Sequence, residues 1–186
     1  METQHSTRKL TYDDYLQFPD DLLRHEIIDG EHYVTPSPMT RHQRISGRLF
    51  HLLQAHLENH PGGEVFFAPL DVLLSRFDIV VPDLVYISHE RARFLTEKNL
   101  QGPPDLAVEI LSPATKARDQ HLKRDLYERV GVREYWLVDP KRNEVTLYHA
   151  GPTGFEPPKL LTRAAGDVLT TDLLPELRVP LERLLA

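Results

Sequence analysis

The segments VVPDLVYIS at residues 80–88 and PPDLAVEILSP at residues 103–113 decide the fold of this chain. Both are rich in β-branched and aliphatic residues over a length that is typical of buried strands. Each has one acidic residue inside its apolar run, Asp83 in the first and Glu109 in the second. The two segments therefore predict neighbouring buried strands, each of which carries a carboxylate.

The two carboxylates need compensation, because an acid in a buried strand is costly unless it meets a cation or hydrogen-bond donors. For Asp83 or Glu109 alone, a turn cap or a pair with an arginine explains the position equally well. Taken together they favour a divalent metal site, since Mg²⁺ commonly takes one or two carboxylates plus water and substrate phosphate. We expect the two carboxyl groups to lie close enough to hold one cation.

The elements around these strands indicate an α/β fold with a mostly buried mixed sheet flanked by helices. An N-terminal β-hairpin is predicted in HEIIDGEHYV, where Asp29-Gly30 is a strong two-residue turn signal. The further predicted elements are a short capped helix over 11–18, amphipathic helices over 41–58 and 115–130, and strands in EVFFAPLDVLLS, EYWLVD and NEVTLYHA.

Length and composition bound the class of protein. The 186 residues suit one domain over 1–186, with its core at about 10–150 and a looser C-terminal tail over 151–186. The absence of cysteine excludes thiolate zinc sites, iron–sulfur ligation and cysteine nucleophiles. The apolar runs are too short to span a bilayer, and METQHSTRKL lacks the apolar centre of a secretory signal. We expect a soluble cytoplasmic protein without a membrane partner.

The charge distribution argues against a general nucleic-acid binder but leaves one basic face. The net charge is −6, and residues 11–31 hold seven acidic residues against Arg24 alone. In the first long helix, Arg41, Arg44 and Arg48 lie at helical spacing in a segment without acids. This stripe is explained either by an ordinary solvated helix face or by contact with phosphates.

A lysine on the second long helix is a further candidate. Lys123 lies beside the predicted apolar stripe of Leu122 and Leu126, and forms an i, i+4, i+8 column with Asp119 and Tyr127. Its ammonium either extends toward the carboxylate pair or snorkels to solvent. If it reaches the pair, we expect Lys123→Ala to leave folding nearly intact and to reduce turnover.

Together these motifs resemble the PD-(D/E)xK nuclease superfamily, which has the restriction-endonuclease-like fold, and more narrowly its Uma2-type family. The resemblance covers roughly residues 10–150 in order, and the tail LLPELRVPLERLL is similar to the ending of that family. It is carried by HEIIDGE, the helix with His42, VVPDLVYIS, PPDLAVEILSP, the column D-x-x-x-K-x-x-x-Y and GVREYWLVDP.

The resemblance implies roles for individual residues. Asp83 and Glu109 match the metal ligands, and Glu26 matches an N-terminal acid that some members add; its alternative is a pair with an arginine. The usual lysine position, two residues past the second acid, is Leu111 here, so Lys123 on the following helix is the matching position. His42 is a candidate nucleic-acid contact beside Arg41, Arg44 and Arg48, although a lone histidine is more often structural.

The implied activity is Mg²⁺- or Mn²⁺-dependent hydrolysis of phosphodiester bonds, with DNA as the partner. One alternative is a catalytically inactive binding or assembly module that keeps the nuclease fold. Another is a hydrolase of small phosphoesters. The sequence leaves a homodimer open.

Overall fold

The structure, a computed structural model, describes residues 8–21 and 23–186. The predicted absence of a secretory signal concerns the first ten residues, most of which lie outside the described residues. Within the described part, no helix combines the length and the apolar character that crossing a membrane requires.

The chain forms thirteen strands and four α-helices within the described residues. In order they are α1 (Tyr12–Tyr15), β1 (Arg24–Ile28), β2 (Glu31–Thr35), α2 (Thr40–Asn59), β3 (Gly63–Phe67), β4 (Val72–Ser75), β5 (Asp78–Val80), β6 (Leu84–Ser88), β7 (Leu106–Ile110), α3 (Arg124–Val130), β8 (Glu134–Asp139), β9 (Glu144–Gly151), β10 (Gly154–Phe155), β11 (Lys159–Thr162), β12 (Val168–Leu169), β13 (Val179–Pro180) and α4 (Leu181–Leu184). A 3₁₀ turn covers Ala92–Phe94, and a π-helical turn over Arg118–Lys123 leads into α3.

Two sheets organise the molecule. The larger has the order β10-β9-β8-β7-β6-β3, with β11 also paired to β9, and only β7 and β8 run parallel. The smaller sheet has the order β2-β1-β5-β4 and is antiparallel throughout. The predicted α/β fold, with a mixed sheet, flanking helices and an N-terminal hairpin (here β1 and β2), is therefore confirmed.

Two of the apolar runs divide between the sheets instead of forming one strand each. EVFFAPLDVLLS contributes β3 to the larger sheet and β4 to the smaller, with Pro69 between them. The next run contributes β5 to the smaller sheet and β6 to the larger, with Pro82 between them. Since proline cannot donate to a strand ladder, each break falls where pairing has to stop. Asp83 consequently lies at the junction of the two sheets.

The helices follow their patterns with small changes at the ends. In α2 the buried face consists of Ile45, Leu49, Leu53 and Leu57, which repeat every four residues. In α1 the backbone N–H of Thr11 donates to the Asp14 carboxylate at 2.9 Å, as a capping box requires. This helix ends earlier than predicted, because residues 17 and 18 make i to i−3 turns in place of helical hydrogen bonds.

The C-terminal tail is part of the main core. Residues from β11, β12, β13 and α4 join the same apolar cluster as α2 and the larger sheet. The fully buried members from this segment are Leu169, Val179, Leu181, Leu184 and Leu185. The tail was expected to be looser, but its leucines pack beside α2 on the same face of the larger sheet and complete the apolar layer there.

Replacing Leu181 with alanine tests this packing. Leu181 is 0% exposed, so we expect Leu181→Ala to lower the free energy of unfolding by about 2 to 5 kcal/mol. Leu160→Ala is the matched control, because Leu160 is 53% exposed and its loss should cost about 0.5 kcal/mol or less. Urea unfolding measures both values, and equal stability of the two variants would contradict a structural role for the tail.

Candidate functional site

Asp83 and Glu109 meet on one face of the larger sheet. In the antiparallel pair β6 and β7, Leu84 lies opposite Val108, so the next step of the register places Asp83 opposite Glu109. Residues directly opposite each other point to the same face of a sheet. Both acids line one cavity of about 210 Å³. The structure therefore brings the predicted pair together, and its role as a metal site stays a prediction.

Asp83 is held as a carboxylate by three donors. Arg24 Nη1 donates to Oδ1 at 2.8 Å, and the backbone N–H of Ile110 donates to Oδ2 at 2.8 Å. His42 Nε2 lies 3.0 Å from the same Oδ2. Burial works to raise the pKa of Asp83, but the His42 hydrogen bond, the Arg24 charge and the Ile110 N–H outweigh it and lower the pKa to about 2.

Glu109 is less fully compensated. Its Oε1 accepts from Lys123 Nζ at 2.7 Å and from Tyr127 Oη at 2.9 Å. Within residues 8–21 and 23–186, no hydrogen bond reaches its Oε2. Burial raises the pKa of Glu109 to about 8 against the opposing charge of Lys123, and nearby acids including Asp119 add to the rise. A cation beside Oε2 would favour the ionised form.

Lys123 lies in the interior with its charge surrounded by carboxylates. It is 1% exposed, and Nζ lies 2.7 Å from Glu26 Oε1, 2.7 Å from Glu109 Oε1 and 3.8 Å from Asp119 Oδ1. Burial alone would lower the pKa of Lys123, but Glu109, Glu26 and Asp119 raise it above its usual value. The ammonium therefore stays charged and acts as a donor, not as a proton acceptor.

The π-helical turn explains how Lys123 reaches this position, and it corrects the predicted apolar stripe. Leu122 was expected to pack on the sheet, but it is 43% exposed, whereas Leu126 is buried as expected. Residues four apart lie on nearly the same side of an α-helix and of a π-helical turn alike. Asp119 and Lys123 consequently both point inward and Leu122 points outward.

Glu26 contacts the chain through both of its carboxylate oxygens. Oε1 accepts from the backbone N–H of Val81 at 2.9 Å as well as from Lys123, and Oε2 lies 3.1 Å from Arg118 Nη2. Burial would raise the pKa of Glu26, but Lys123 and Arg118 outweigh it and lower the pKa. The carboxylate is fully buried and is absent from the cavity wall. Glu26 therefore contacts Lys123 behind the cavity and does not line the cavity itself. Its role as a third ligand stays a prediction.

The carboxylates at the cavity suit a cation that is bound by two protein ligands. No group of three or more histidine or acidic side chains in the described part of the chain is arranged to hold a metal. Two carboxylates are nevertheless enough for Mg²⁺ when water and a phosphate complete its shell. Glu109 offers a free Oε2, and Oδ1 of Asp119, on the same cavity wall, is buried without a hydrogen bond. Glu109 therefore has an oxygen open to a cation, whereas both oxygens of Asp83 already accept hydrogen bonds, and the role of the two acids as metal ligands stays a prediction.

The predicted nucleic-acid contacts lie in three different places. Arg41 and Arg44 are exposed on α2, and Arg41 donates to the Asn143 side chain at 2.7 Å. Arg48 instead turns to the carbonyl oxygens of Leu184 and Ala186 at the C-terminus. His42 lines the cavity beside Asp83, so it lies at the site and not on the outer face of the helix.

The sequence does not predict a function for several residues of the site. Arg24 had a usable signal, since it is the one basic residue in the acidic stretch 11–31. Asp119 and Tyr127 were visible in the column with Lys123 but were not assigned to the site. Arg118 gave no signal, because its partner Glu26 is far away in the sequence and only the fold brings the two together.

Comparisons with known proteins show the family to which the chain is similar. The sequence model of the Uma2 family, described as "Putative restriction endonuclease", matches residues 12–182. The uncharacterized protein slr1290 of Synechocystis sp. is 31% identical over 151 residues, which cover 78% of this chain and 77% of that protein. The chain is thus similar to proteins of this family over most of its length.

A solved structure shows the same fold. The crystal structure of "a putative nuclease belonging to DUF820" from Anabaena variabilis superposes with a TM-score of 0.77. The match covers 95% of this chain and 97% of the other, at 20% sequence identity. At that identity the likeness shows the fold and carries no information on the individual residues of the site.

The contacts of Lys123 reverse the expectation that its removal would be neutral for folding. Lys123→Ala would leave Glu26 and Glu109 buried without their shared cation, so we expect a loss of about 3 to 5 kcal/mol. Lys116→Ala is the control, because the Lys116–Asp139 pair is partly exposed and should contribute about 1 kcal/mol or less. Chemical denaturation that finds both variants equally stable would contradict the buried cluster.

The pKa of Asp83 gives a prediction for the pH dependence of stability. The folded pKa of about 2 lies below the usual value of 3.8, so the carboxylate stabilises the fold above about pH 4 by about 2 kcal/mol. This contribution is lost as the pH falls from about 4 to about 2. We expect Asp83→Asn to be less stable than the wild type at neutral pH and the difference to close over that range. Urea midpoints at a series of pH values measure it, and a constant difference would contradict the proposed pairing.

Proposed function

The chain belongs to the Uma2 family, and on this premise we propose that it is a Mg²⁺- or Mn²⁺-dependent endonuclease that hydrolyses phosphodiester bonds of DNA. One observation carries the proposal: two carboxylates on neighbouring strands share a cavity wall, and a buried lysine is fixed against one of them. Two carboxylates can hold the divalent cation that metal-assisted phosphodiester hydrolysis uses, and the lysine adds a positive charge beside one of them.

Asp83 and Glu109 are the residues that would hold the cation. When bound, a divalent cation lowers the pKa of a coordinated water and offsets the charge that develops on the phosphate. Asp83 is ready for this role because its low pKa keeps it ionised at neutral pH. Glu109 has to release its proton as the cation binds, so metal affinity should rise with pH.

The remaining residues of the site position these two acids. Lys123 and Tyr127 both donate to Oε1 of Glu109, which leaves Oε2 free for a ligand. Arg24 and His42 fix the plane of the Asp83 carboxylate from two sides. Glu26 and Asp119 hold the Lys123 ammonium near Glu109. Because Lys123 is 1% exposed and is absent from the cavity wall, its role in this proposal is to fix Glu109 and not to contact the substrate.

Nucleic acid would approach along the basic end of α2. Arg41 and Arg44 are exposed near the end of α2 that carries His42, and contacts between arginines and backbone phosphates position a strand without reading its sequence. The net charge of −6 opposes binding, and the acids of the site repel phosphate until a cation neutralises them. Binding should therefore be weak without metal and should fall steeply with salt.

The test compares Glu109→Gln with Glu134→Gln, purified identically. Both replace a buried carboxylate of the larger sheet by an amide of the same shape. Glu109 pairs with Leu137 of β8, whereas Glu134 is the first residue of β8 and is absent from the cavity wall. We expect cleavage of DNA by the wild type in Mn²⁺ or Mg²⁺, at least about a hundredfold less by Glu109→Gln, and near wild-type rates for Glu134→Gln. EDTA should abolish the activity.

The choice of substrates separates this proposal from its alternatives. The three proteins are assayed on single- and double-stranded DNA, on RNA and on p-nitrophenyl phosphate. Equal trace cutting by the wild type and Glu109→Gln would identify a contaminant and favour a binding module that keeps the nuclease fold. Activity confined to p-nitrophenyl phosphate would favour a hydrolase of small phosphoesters.

A further inference from the structure

A second cavity adjoins the candidate site. It has a volume of about 520 Å³ and lies on the other side of Arg24. The two cavities share part of their walls, namely Arg24 and the segment 35–38, which leads from β2 into α2. A molecule bound at Asp83 and Glu109 can therefore continue into the second cavity without leaving the surface of the protein.

The sizes of the cavities suit different parts of a nucleotide. Pockets for small organic ligands measure roughly 300 to 1,000 Å³. The first cavity, at about 210 Å³, lies below this range and suits a phosphate with a cation. The second cavity, at about 520 Å³, lies within the range. A base attached to the phosphate in the first cavity has room in the second.

Aromatic rings line the second cavity and are held in place by their neighbours. The Phe18 ring packs against Tyr15 with centroids 5.6 Å apart and against His32 with centroids 4.1 Å apart. The Tyr15 hydroxyl donates to Asp71 Oδ1 at 2.8 Å, which fixes the second ring. Rings that are fixed before binding lose little entropy when a base stacks on them.

The charge of the second cavity disfavours phosphate. Asp20 and Asp71 lie in its wall, and the two basic side chains there within the described part of the chain are already paired, His25 with Asp21 and Arg24 with Asp83. In that part no hydrogen bond reaches Oδ2 of Asp71, so this oxygen can accept from an N–H group on a base edge, such as the ring N–H of thymine. A cavity that repels phosphate and offers acceptors beside aromatic rings suits a base and not the backbone.

We propose that the second cavity binds an unstacked nucleobase of the strand whose phosphate lies at Asp83 and Glu109. A base has to leave the duplex stack to enter such a cavity, so the substrate is a single-stranded or locally unpaired nucleic acid. Arg24 lies at the boundary, where the sugar–phosphate link passes from one cavity to the other. The inference rests on the proposed nuclease function and narrows its substrate class.

The acidic stretch 11–31 gains a role from this assignment. It supplies α1, the loop with Asp20 and the strand that carries Arg24, which together form one side of the second cavity. The acids keep the phosphate backbone away from this side, while Arg41 and Arg44 attract it toward α2. The two regions of opposite charge therefore separate the path of the backbone from the position of the base.

The test measures binding in EDTA in a Glu109→Gln background, which removes one of the acids that repel phosphate, so neither metal nor cleavage enters the result. Fluorescence anisotropy compares a twelve-nucleotide oligothymidylate with its duplex. We expect the single strand to bind about tenfold more tightly, Phe18→Leu to remove this preference, and Phe18→Tyr to retain it because the ring remains. Leu160→Ala, an exposed apolar residue on β11, is the matched control and should leave both affinities unchanged.

A crosslinking experiment locates the base directly. An oligonucleotide with a single 5-iodo-2′-deoxyuridine is irradiated with the protein, and the adduct is mapped by peptide mass spectrometry. We expect the adduct on Tyr15 or Phe18. An adduct elsewhere, equal affinity for single strand and duplex, or no effect of Phe18→Leu would overturn the inference.

The two proposals fail in distinguishable ways. Metal-dependent cleavage without single-strand preference would leave the nuclease proposal standing and remove the base site. Single-strand preference that depends on Phe18, in a chain that cleaves nothing with metal, would leave the base site standing as part of a binding module. Loss of folding in Phe18→Leu is detected by circular dichroism, and in that case Phe18→Tyr and the crosslink decide.

Discussion

The ion cluster around Lys123 is the interaction on which the site and the joining of the two sheets depend. Its ammonium contacts Glu26 on β1 of the smaller sheet, Glu109 on β7 of the larger sheet and Asp119 on its own π-helical turn. One lysine thus connects three elements that are distant in sequence. Because a buried charge is tolerated only with partners in good geometry, each element constrains the positions of the other two. Together with Arg118, the lysine supplies two positive charges for three carboxylates, so the cluster tends toward an excess of negative charge. Burial is the main cause of the raised pKa of Glu109 and the neighbouring carboxylates add to it, so a cation in the adjoining cavity would lower that pKa.

Much of the fold could be predicted because it depends on local patterns. The Asp29-Gly30 turn, the repeat of apolar residues in α2 and the β-branched run of β7 each act over a few residues, and each appears in the structure as expected. The acids of the site were visible for a related reason, since a carboxylate inside an apolar strand violates the local pattern. Residues that conflict with their surroundings commonly mark sites where the stability of the chain is sacrificed to function. Asp83 and Glu109 stand out in this way, and the register of β6 and β7 places them side by side.

The features that escaped prediction depend on tertiary contacts. Apolar spacing does not distinguish a π-helical turn from an α-helix. It therefore predicts that Leu122 packs on the sheet, and it leaves open whether Lys123 points inward or toward solvent. Runs such as EVFFAPLDVLLS read as one strand because hydrophobicity does not tell which sheet a residue joins. The tail 151–186 was read as loose because its strands are only two to four residues long beyond β9, and their leucines gain stability only by packing on a sheet formed by earlier residues. Arg24 and Arg118 are ordinary surface-type residues until the fold brings them to Asp83 and Glu26.

The uneven distribution of charge would allow this acidic chain to bind a nucleic acid, which is itself strongly negative. The net charge of −6 opposes association at long range, and salt screens this repulsion over about 8 to 10 Å. Close to the surface, the two regions of opposite sign matter more than the total. The exposed arginines of α2 lie near one end of the candidate site, and the acids of residues 11–31 lie on its other side. A phosphate chain is therefore attracted on one side and repelled on the other, so its direction across the cavity is set by electrostatics before any contact with a base. Under the proposed function the acids at the centre would repel phosphate until a cation is bound, so Glu109 would couple substrate binding to metal binding as well as hold Lys123 in the core.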